Sequence, residues 1–446
     1  MKQYRPRIAD KMLSRRLMGV GAVLIQGPKW CGKTTTAEQQ AKSVVYMDDP
    51  EYMEQNVELA NLSPKKLLAG ATPRLIDEWQ LAPQLWDAAR FEVDHRDGEG
   101  QFIFTGSAVP ADTDKIHHSG TGRFAWLTMR TMSLYESGES TGEVSLNELF
   151  SNPNADVFGK SNLNIDSIAW LICRGGWPRA TTISKDVALD MAYRYYEAVV
   201  NNDISRVDNV KRDAERTKRI LRSIARNQCA QISVNTICAD IENNDTISAN
   251  RMTIASYIEA LKKIFVLEDS IAWNPNLRSK TAIRSSETRY FSDPSIGVAA
   301  LGVGPNDLIN DLSTMGLFFE SMCVRDLRVY ADALEGSVYH YRDSNGLECD
   351  AVLHLRNGRY GLIEIKLGGE KNIEEGAKNL KLLASKIDTT KMKAPSFLMI
   401  LTGTTRYAIR REDGVYVVPV GCLVISRLSW RSGSSRPASP CGRPSA

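Results

Sequence analysis

No run of 18 apolar residues occurs in the 446-residue chain, so no transmembrane helix is readable. The opening Met1-Lys2-Gln3-Tyr4-Arg5-Pro6-Arg7 lacks the apolar stretch of a secretory signal. A cytoplasmic protein with no membrane partner is expected. The eight cysteines, at 31, 173, 229, 238, 323, 349, 422 and 441, form no CxxC pair and have no histidine at zinc-ligand spacing. That excludes a zinc finger and a disulfide framework and leaves reduced thiols that mostly fill core. Charge of one sign is also missing: 56 basic side chains against 53 acidic ones give +3, too weak a field for the whole molecule to hold a polyanion. Any nucleic-acid site must be local. With 43% apolar and 24% charged residues the composition is that of a folded globular protein, and the length suggests two to four domains.

The first third alternates short apolar runs with helical stretches: Ala22-Val23-Leu24-Ile25, Ser43 to Met47, Arg74 to Asp77 and Gln101 to Thr105. Continuous β-branched and aromatic runs between helices predict an α/β domain built on a parallel sheet covered on both faces, over residues 1–145. Residues 146–210 read as a helical segment, broken at Arg174-Gly175-Gly176-Trp177-Pro178, where two glycines and a proline cannot continue a helix. Seven basic residues lie between Lys211 and Arg226; a solvated helix face and a nucleic-acid contact explain them about equally well. A helix over Ile232 to Ile241, a turn at Asn243-Asn244-Asp245, a helix from Ser248 to Phe265 and extended segments near Ile271 to Trp273 and Thr288 to Phe291 follow the order of a winged helix, over 211–300. The last stretch, 427–446, is rich in Ser, Pro, Gly and Arg and reads as a disordered tail. Its four arginines, taken from the net +3, leave −1 for the rest.

Gly27-Pro28-Lys29-Trp30-Cys31-Gly32-Lys33-Thr34 fits G-x-x-x-x-G-K-[ST], directly after an apolar strand and before a helical run that begins at Thr35. Such a loop cradles phosphates with backbone N–H groups and a helix N-terminus, while Lys33 reaches the β and γ phosphates and the Thr34 hydroxyl binds Mg²⁺. Leu75-Ile76-Asp77-Glu78 supplies the acid such a site needs: Asp77 to hold Mg²⁺ through water and Glu78 to polarise the attacking water. Phe102 to Ser107 reads as a third strand ending in hydroxyls, with Thr105 or Ser107 placed to sense the γ phosphate. Arg123, in Ser119-Gly120-Thr121-Gly122-Arg123, sits where an arginine finger or a plain surface arginine would stand; a finger would act on ATP of a neighbouring subunit, so a homo-oligomer is expected.

These segments, with Gly175-Gly176-Trp177-Pro178, resemble the bacterial and archaeal AAA-type ATPases fused to a C-terminal domain of unknown function, over most of the chain to about Cys422. The likeness departs after Leu423. It implies ATP and Mg²⁺ as cofactors.

Residues 301–426 return to α/β alternation, beginning with an amphipathic helix from about Met315 to Leu334 that carries Glu320. Leu347 to Leu355 and Arg359 to Leu367 read as strands flanking an Asn357-Gly358 turn, followed by a helix from Glu374 to Lys386 and a strand from Phe397 to Leu401. Asp350 and Glu364-Ile365-Lys366 match the PD-(D/E)XK nuclease pattern, in which two carboxylates gather a metal and a lysine orients or deprotonates water. Period two puts Glu364 and Lys366 on one face. Asp350 joins them only if the connecting loop has an odd number of residues or a bulge. The function expected is a Mg-ATP-hydrolysing AAA-type ATPase coupled to engagement of DNA or RNA, with metal-dependent nuclease activity as an open addition. The alternative is an ATP-gated switch or adaptor that binds a protein partner and carries an inactive nuclease-like domain. A third class, a transcriptional regulator, would use the winged helix alone.

Overall fold

The computed structural model describes residues 4–107, 118–208, 210–242, 250–275 and 286–426. The first apolar runs become β1 (Ala22–Gln26), β2 (Ser43–Tyr46), β3 (Arg74–Asp77) and β4 (Phe102–Gly106), joined by β5 (Phe124–Thr128). They form one parallel sheet in the order β2-β3-β4-β1-β5. One face packs on Trp79, Trp86 and Leu85, the other on Leu13 and Leu17 of the helix Ile8–Leu17. Double coverage is why the central strands read as unbroken apolar runs. The edge strand β5 escapes that pattern because its Trp126 is exposed.

Between residues 165 and 301 the described residues are mainly helical. The helix Ile165–Arg174 ends at Gly175, whose φ of +70° favours glycine. At Gly176 a Cβ would lie 2.2 Å from the Met132 carbonyl oxygen, so only glycine lets these two backbones meet. The helices Ala214–Arg226, Val234–Glu242 and Arg251–Lys263 follow. Single β-bridges then join Leu267 to Phe291, Ser270 to Thr288 and Ala230 to Arg289. The expected turn at 243–245, the start of the helix expected from Ser248 and the tail 427–446 lie outside the described residues.

The C-terminal part has a mixed seven-stranded sheet. In chain order, β6 (Val144–Ser145), β7 (Gly159–Lys160), β8 (Gly336–Arg342), β9 (Glu348–Leu355), β10 (Tyr360–Lys366), β11 (Phe397–Thr402), β12 (Tyr407–Arg410), β13 (Tyr416–Pro419) and β14 (Leu423–Val424) complete the strands. The sheet runs β7-β12-β13-β11-β10-β9-β8, and β6 pairs separately with β14. Strands from residues 144–160 thus pair in space with C-terminal strands, β6 with β14 and β7 with β12. Two-residue strands carry no periodicity that would have shown this.

The helix Leu312–Ala333 differs from expectation in another way. It is not amphipathic throughout: every residue from Ser321 to Ala331 is buried, including Arg325, Asp326 and Arg328. Those charges are there because three parts of the chain meet at this helix. Arg325 pairs with Asp293 at 3.1 Å and Asp326 at 2.7 Å. Asp326 accepts the Leu134 N–H, and Asp293 accepts from the Thr131 hydroxyl and the Gly176 N–H. Arg130, just beyond β5, pairs with Glu268 at 2.6 Å and Asp332 at 2.5 Å. The segment leaving the first sheet is therefore held by buried ions from the middle and C-terminal parts.

Candidate nucleotide and carboxylate sites

The glycine-rich loop leaves the C-terminal end of β1 and enters the six-residue helix Lys33–Glu38 through Gly32, at φ +98°. Gly27 cannot carry a side chain, since a Cβ would approach the Met129 carbonyl oxygen to 2.0 Å. Cys31 is buried, and its carbonyl accepts from the buried guanidinium of Arg7 at 2.8 Å. The Lys33 ammonium is buried too and donates to the Gly27 and Pro28 carbonyls at 3.0 and 2.9 Å. It holds the loop on itself, with its charge beneath the turn where phosphate oxygens are bound in such loops. Lys29 reaches outward to Asp203 of the helical part at 2.6 Å, and the Trp30 ring stands edge-on to Tyr195, centroids 5.9 Å apart. Thr35 lies in the first turn of the helix.

Strand β4 separates β1 from β3, so the loop, the acid and the hydroxyls end side by side on one edge of the sheet. Thr34 donates to Asp77 at 2.8 Å, and the Thr105 hydroxyl binds the same carboxylate oxygen. Burial raises the Asp77 carboxyl above its ordinary range, against the pull of both hydroxyls. Glu78 has φ +50°, outside the strand conformation, and its carboxylate accepts from Gln80. Burial raises its pKa as well. Lys29, Asp48, Glu78, Ser107, Asp203 and Arg206 line a cleft of about 430 Å³ at this edge. Asp203 and Arg206 were not among the residues singled out from the sequence. They come from the turn around the helix Ile204–Arg206, over a hundred positions downstream, and no local pattern marks them.

Arg123 is placed elsewhere. It precedes β5 at the N-terminal end of the sheet, opposite the phosphate loop, with its carbonyl accepting the Ala22 N–H and its guanidinium on Asp94 at 2.8 Å. It therefore does not line its own chain's cleft.

In the C-terminal sheet Ala351 pairs with Ile363 and His354 with Tyr360, around the three-residue turn Arg356-Asn357-Gly358. The odd count, permitted by Gly358 at φ +81°, sets Asp350 across from Glu364. Lys366 lies 2.6 Å from Glu364 and 3.4 Å from Asp350. Here the strands part, and Asp350 takes the Ile365 N–H at 2.7 Å in place of a strand partner. Burial, then repulsion from Asp350, pushes the Glu364 pKa up to about 8, against the pull of Lys366. Glu320, from the long helix, stands half-buried beside this pair and accepts from the Tyr290 hydroxyl at 2.8 Å. Tyr290, supplied by the middle of the chain, had no sequence signal linking it to the cluster. Among the described residues no group of three His, Cys, Asp or Glu side chains has metal-holding geometry.

Residues 165–307 and 315–423 match two models, each described as a domain of unknown function (DUF8612 and DUF4143). The chain is similar to two curated proteins described as uncharacterized, Rv2008c of Mycobacterium tuberculosis and Mb2031c of Mycobacterium bovis. Each is 23% identical over 81% of this chain and 73% of the relative. Among solved structures, a Walker-type ATPase of Pyrococcus abyssi aligns at 14% identity over 67% of this chain and 99% of its own, with a TM-score of 0.40. The Aeropyrum pernix Orc1 protein, solved in complex with DNA, aligns at 13% identity over 70% and 94%, with a TM-score of 0.27. Residues 20–138 match an AAA domain, and the same residues carry the phosphate loop on β1 with the acid strand one strand removed.

Proposed function

We propose that the protein is a Mg-ATP-hydrolysing switch whose C-terminal carboxylate site cuts nucleic acid. In the first site Lys33 neutralises the terminal phosphates, Thr34 and Asp77 hold Mg²⁺, Glu78 orients the attacking water and Ser107 senses the γ phosphate. Arg123 acts on the nucleotide of a neighbouring copy in a homo-oligomer. In the second, Asp350 and Glu364 bind a divalent ion and Lys366 positions or deprotonates the water. The bridged segments after the helix Arg251–Lys263 serve as a winged helix, and the basic face of Ala214–Arg226 meets the phosphate backbone.

The observation that carries the nuclease half is the meeting of Asp350, Glu364 and Lys366 where β9 and β10 part. The test is cleavage of supercoiled plasmid and of single-stranded RNA with Mn²⁺ or Mg²⁺, with and without ATP. Metal-dependent nicking that disappears in Asp350→Ala supports the reading. A second reading, an adaptor that binds a protein partner and cuts nothing, draws on a specific observation: Lys366 already pairs with both acids, which leaves them less free to take a metal ion. No cleavage, together with no Mn²⁺ bound at Asp350 and Glu364, decides for it.

A further inference from the structure

A second cleft, of about 630 Å³, opens between the ATPase domain and the C-terminal part, away from both sites above. Its size is that of an ordinary small-molecule site. One wall is the helix Ile8–Leu17 with Ala125 of β5; the other is the end of the helix Leu312–Ala333, the start of β8 and the turn between β9 and β10. Lys11, Arg15, Arg16 and Arg356 line it against Asp332 and Glu335, a surplus of two positive charges. Both acids are already engaged, Asp332 with Arg130 at 2.5 Å and Glu335 with Arg15. Two helix C-termini end here, each worth about half a negative charge, which offsets about one of the two.

The decisive group is Arg16. Its Nη1 is sealed from solvent and has no hydrogen-bond partner. A cationic donor atom without an acceptor and out of reach of water costs more than an ordinary lost hydrogen bond, so an anionic acceptor at this point would be stabilising. Burial, with Arg356 and Arg15 nearby, depresses its pKa despite the pull of Asp332 and Glu335. Apart from Asn147, Ser337 and Ser426 the rest of the lining is apolar, including Met12, Leu334 and Ile425, which suits an organic group better than a bare ion.

We propose that this interdomain cleft binds a small organic phosphate, its phosphoryl oxygens on Arg16 and Arg356 and its organic portion against Met12, Leu334 and Ile425. Phosphate is favoured over a single carboxylate because its three terminal oxygens can meet two guanidinium forks at once, where a carboxylate has only two oxygens to share. The ligand would span the ATPase domain and the C-terminal part, so it would stiffen their junction. The site is separate from the phosphate loop and does not depend on the nuclease reading.

The test is isothermal titration of the full chain carrying Lys33→Ala, without Mg²⁺, using AMP, pyrophosphate and adenosine as probes. One AMP or pyrophosphate per chain is expected to bind, and adenosine to bind far more weakly. Adding Arg16→Gln, or Arg356→Gln on the exposed turn, should weaken the phosphate probe by about tenfold or more, the loss of one charge-assisted contact, while Arg16→Lys retains part of the affinity. Heat capacity scans show whether each variant is folded. The proposal is overturned if neither phosphate probe binds up to millimolar concentration, or if binding is unchanged in the folded Arg16→Gln and Arg356→Gln variants.

Discussion

Replacing Asp293 by Asn changes one oxygen to an amide, yet it should be among the most destabilising single substitutions in the chain. The carboxylate is fully buried and accepts five hydrogen bonds. Oδ2 takes the Thr131 hydroxyl at 2.7 Å, the Gly176 N–H at 2.9 Å and Arg325 at 3.1 Å; Oδ1 takes the Ser295 N–H at 3.0 Å and its hydroxyl at 2.6 Å. An asparagine keeps one acceptor, so at least two donors meet the new NH₂ group. Arg325, 2% exposed, is left with Asp326 alone. Removing one partner of a buried ion pair costs about 3–5 kcal/mol, a large part of the 5–15 kcal/mol typical of a folded protein. At a few degrees per kcal/mol the apparent melting midpoint, compared at one scan rate, should fall by on the order of 10 °C. Adding Arg325→Met should not recover it, because Asp326 would then be left buried without its ion partner. A midpoint within a degree or two of the parent in the single variant would show that these ions do not hold the junction.

Lys33→Ala should abolish ATP binding, because its buried ammonium is the charge beneath the phosphate loop, and Glu78→Gln should leave binding intact while hydrolysis stops; filter binding and phosphate release check both. Arg206→Ala should lower turnover at least tenfold with ATP affinity changed far less, whereas Arg123→Ala should lose turnover that is partly restored on mixing with Lys33→Ala, since its finger would serve the neighbouring copy; equal behaviour of the two arginine variants would contradict their different placement. Burial raises the Asp326 pKa from 3.8 to about 6 despite Arg325, so its contribution to stability is full below about pH 3.8 and lost as pH rises through about 6. Relative to Asp326→Asn, which cannot titrate, the parent should lose roughly 3 kcal/mol between those limits, measured by denaturant unfolding at several pH values.

The strands of the first sheet and the phosphate loop were legible because parallel strands covered on both faces leave unbroken apolar runs, and because the loop needs its glycines, lysine and threonine in one short stretch. Asp77 and Glu78 could be found the same way, as acids at the end of an apolar run. Asp350 was legible only as a condition on loop parity, which the three-residue turn meets. What could not be read is what the fold assembles from distant positions. Asp203 and Arg206 reach the nucleotide cleft from a helical turn without a motif. Tyr290 reaches Glu320 across 30 positions. The buried charges of the long helix break its amphipathic pattern because their partners, Asp293, Leu134 and Glu268, lie in other parts of the chain.

The pairing of β7 with β12 sets an order of events during synthesis. Lys160 finds its partner at Tyr407, 247 residues later. At about 5–20 residues per second that interval is roughly 12 to 50 seconds on the ribosome. Throughout it the first sheet can close, since all its strands have emerged by Thr128, while residues 144–160 stay without the strands that will cover them. The nascent chain thus carries a finished first sheet and a waiting edge. A fragment cut to the span of the C-terminal match alone, 315–423, would lack β7 and should be recovered as aggregate unless residues 144–160 are supplied with it.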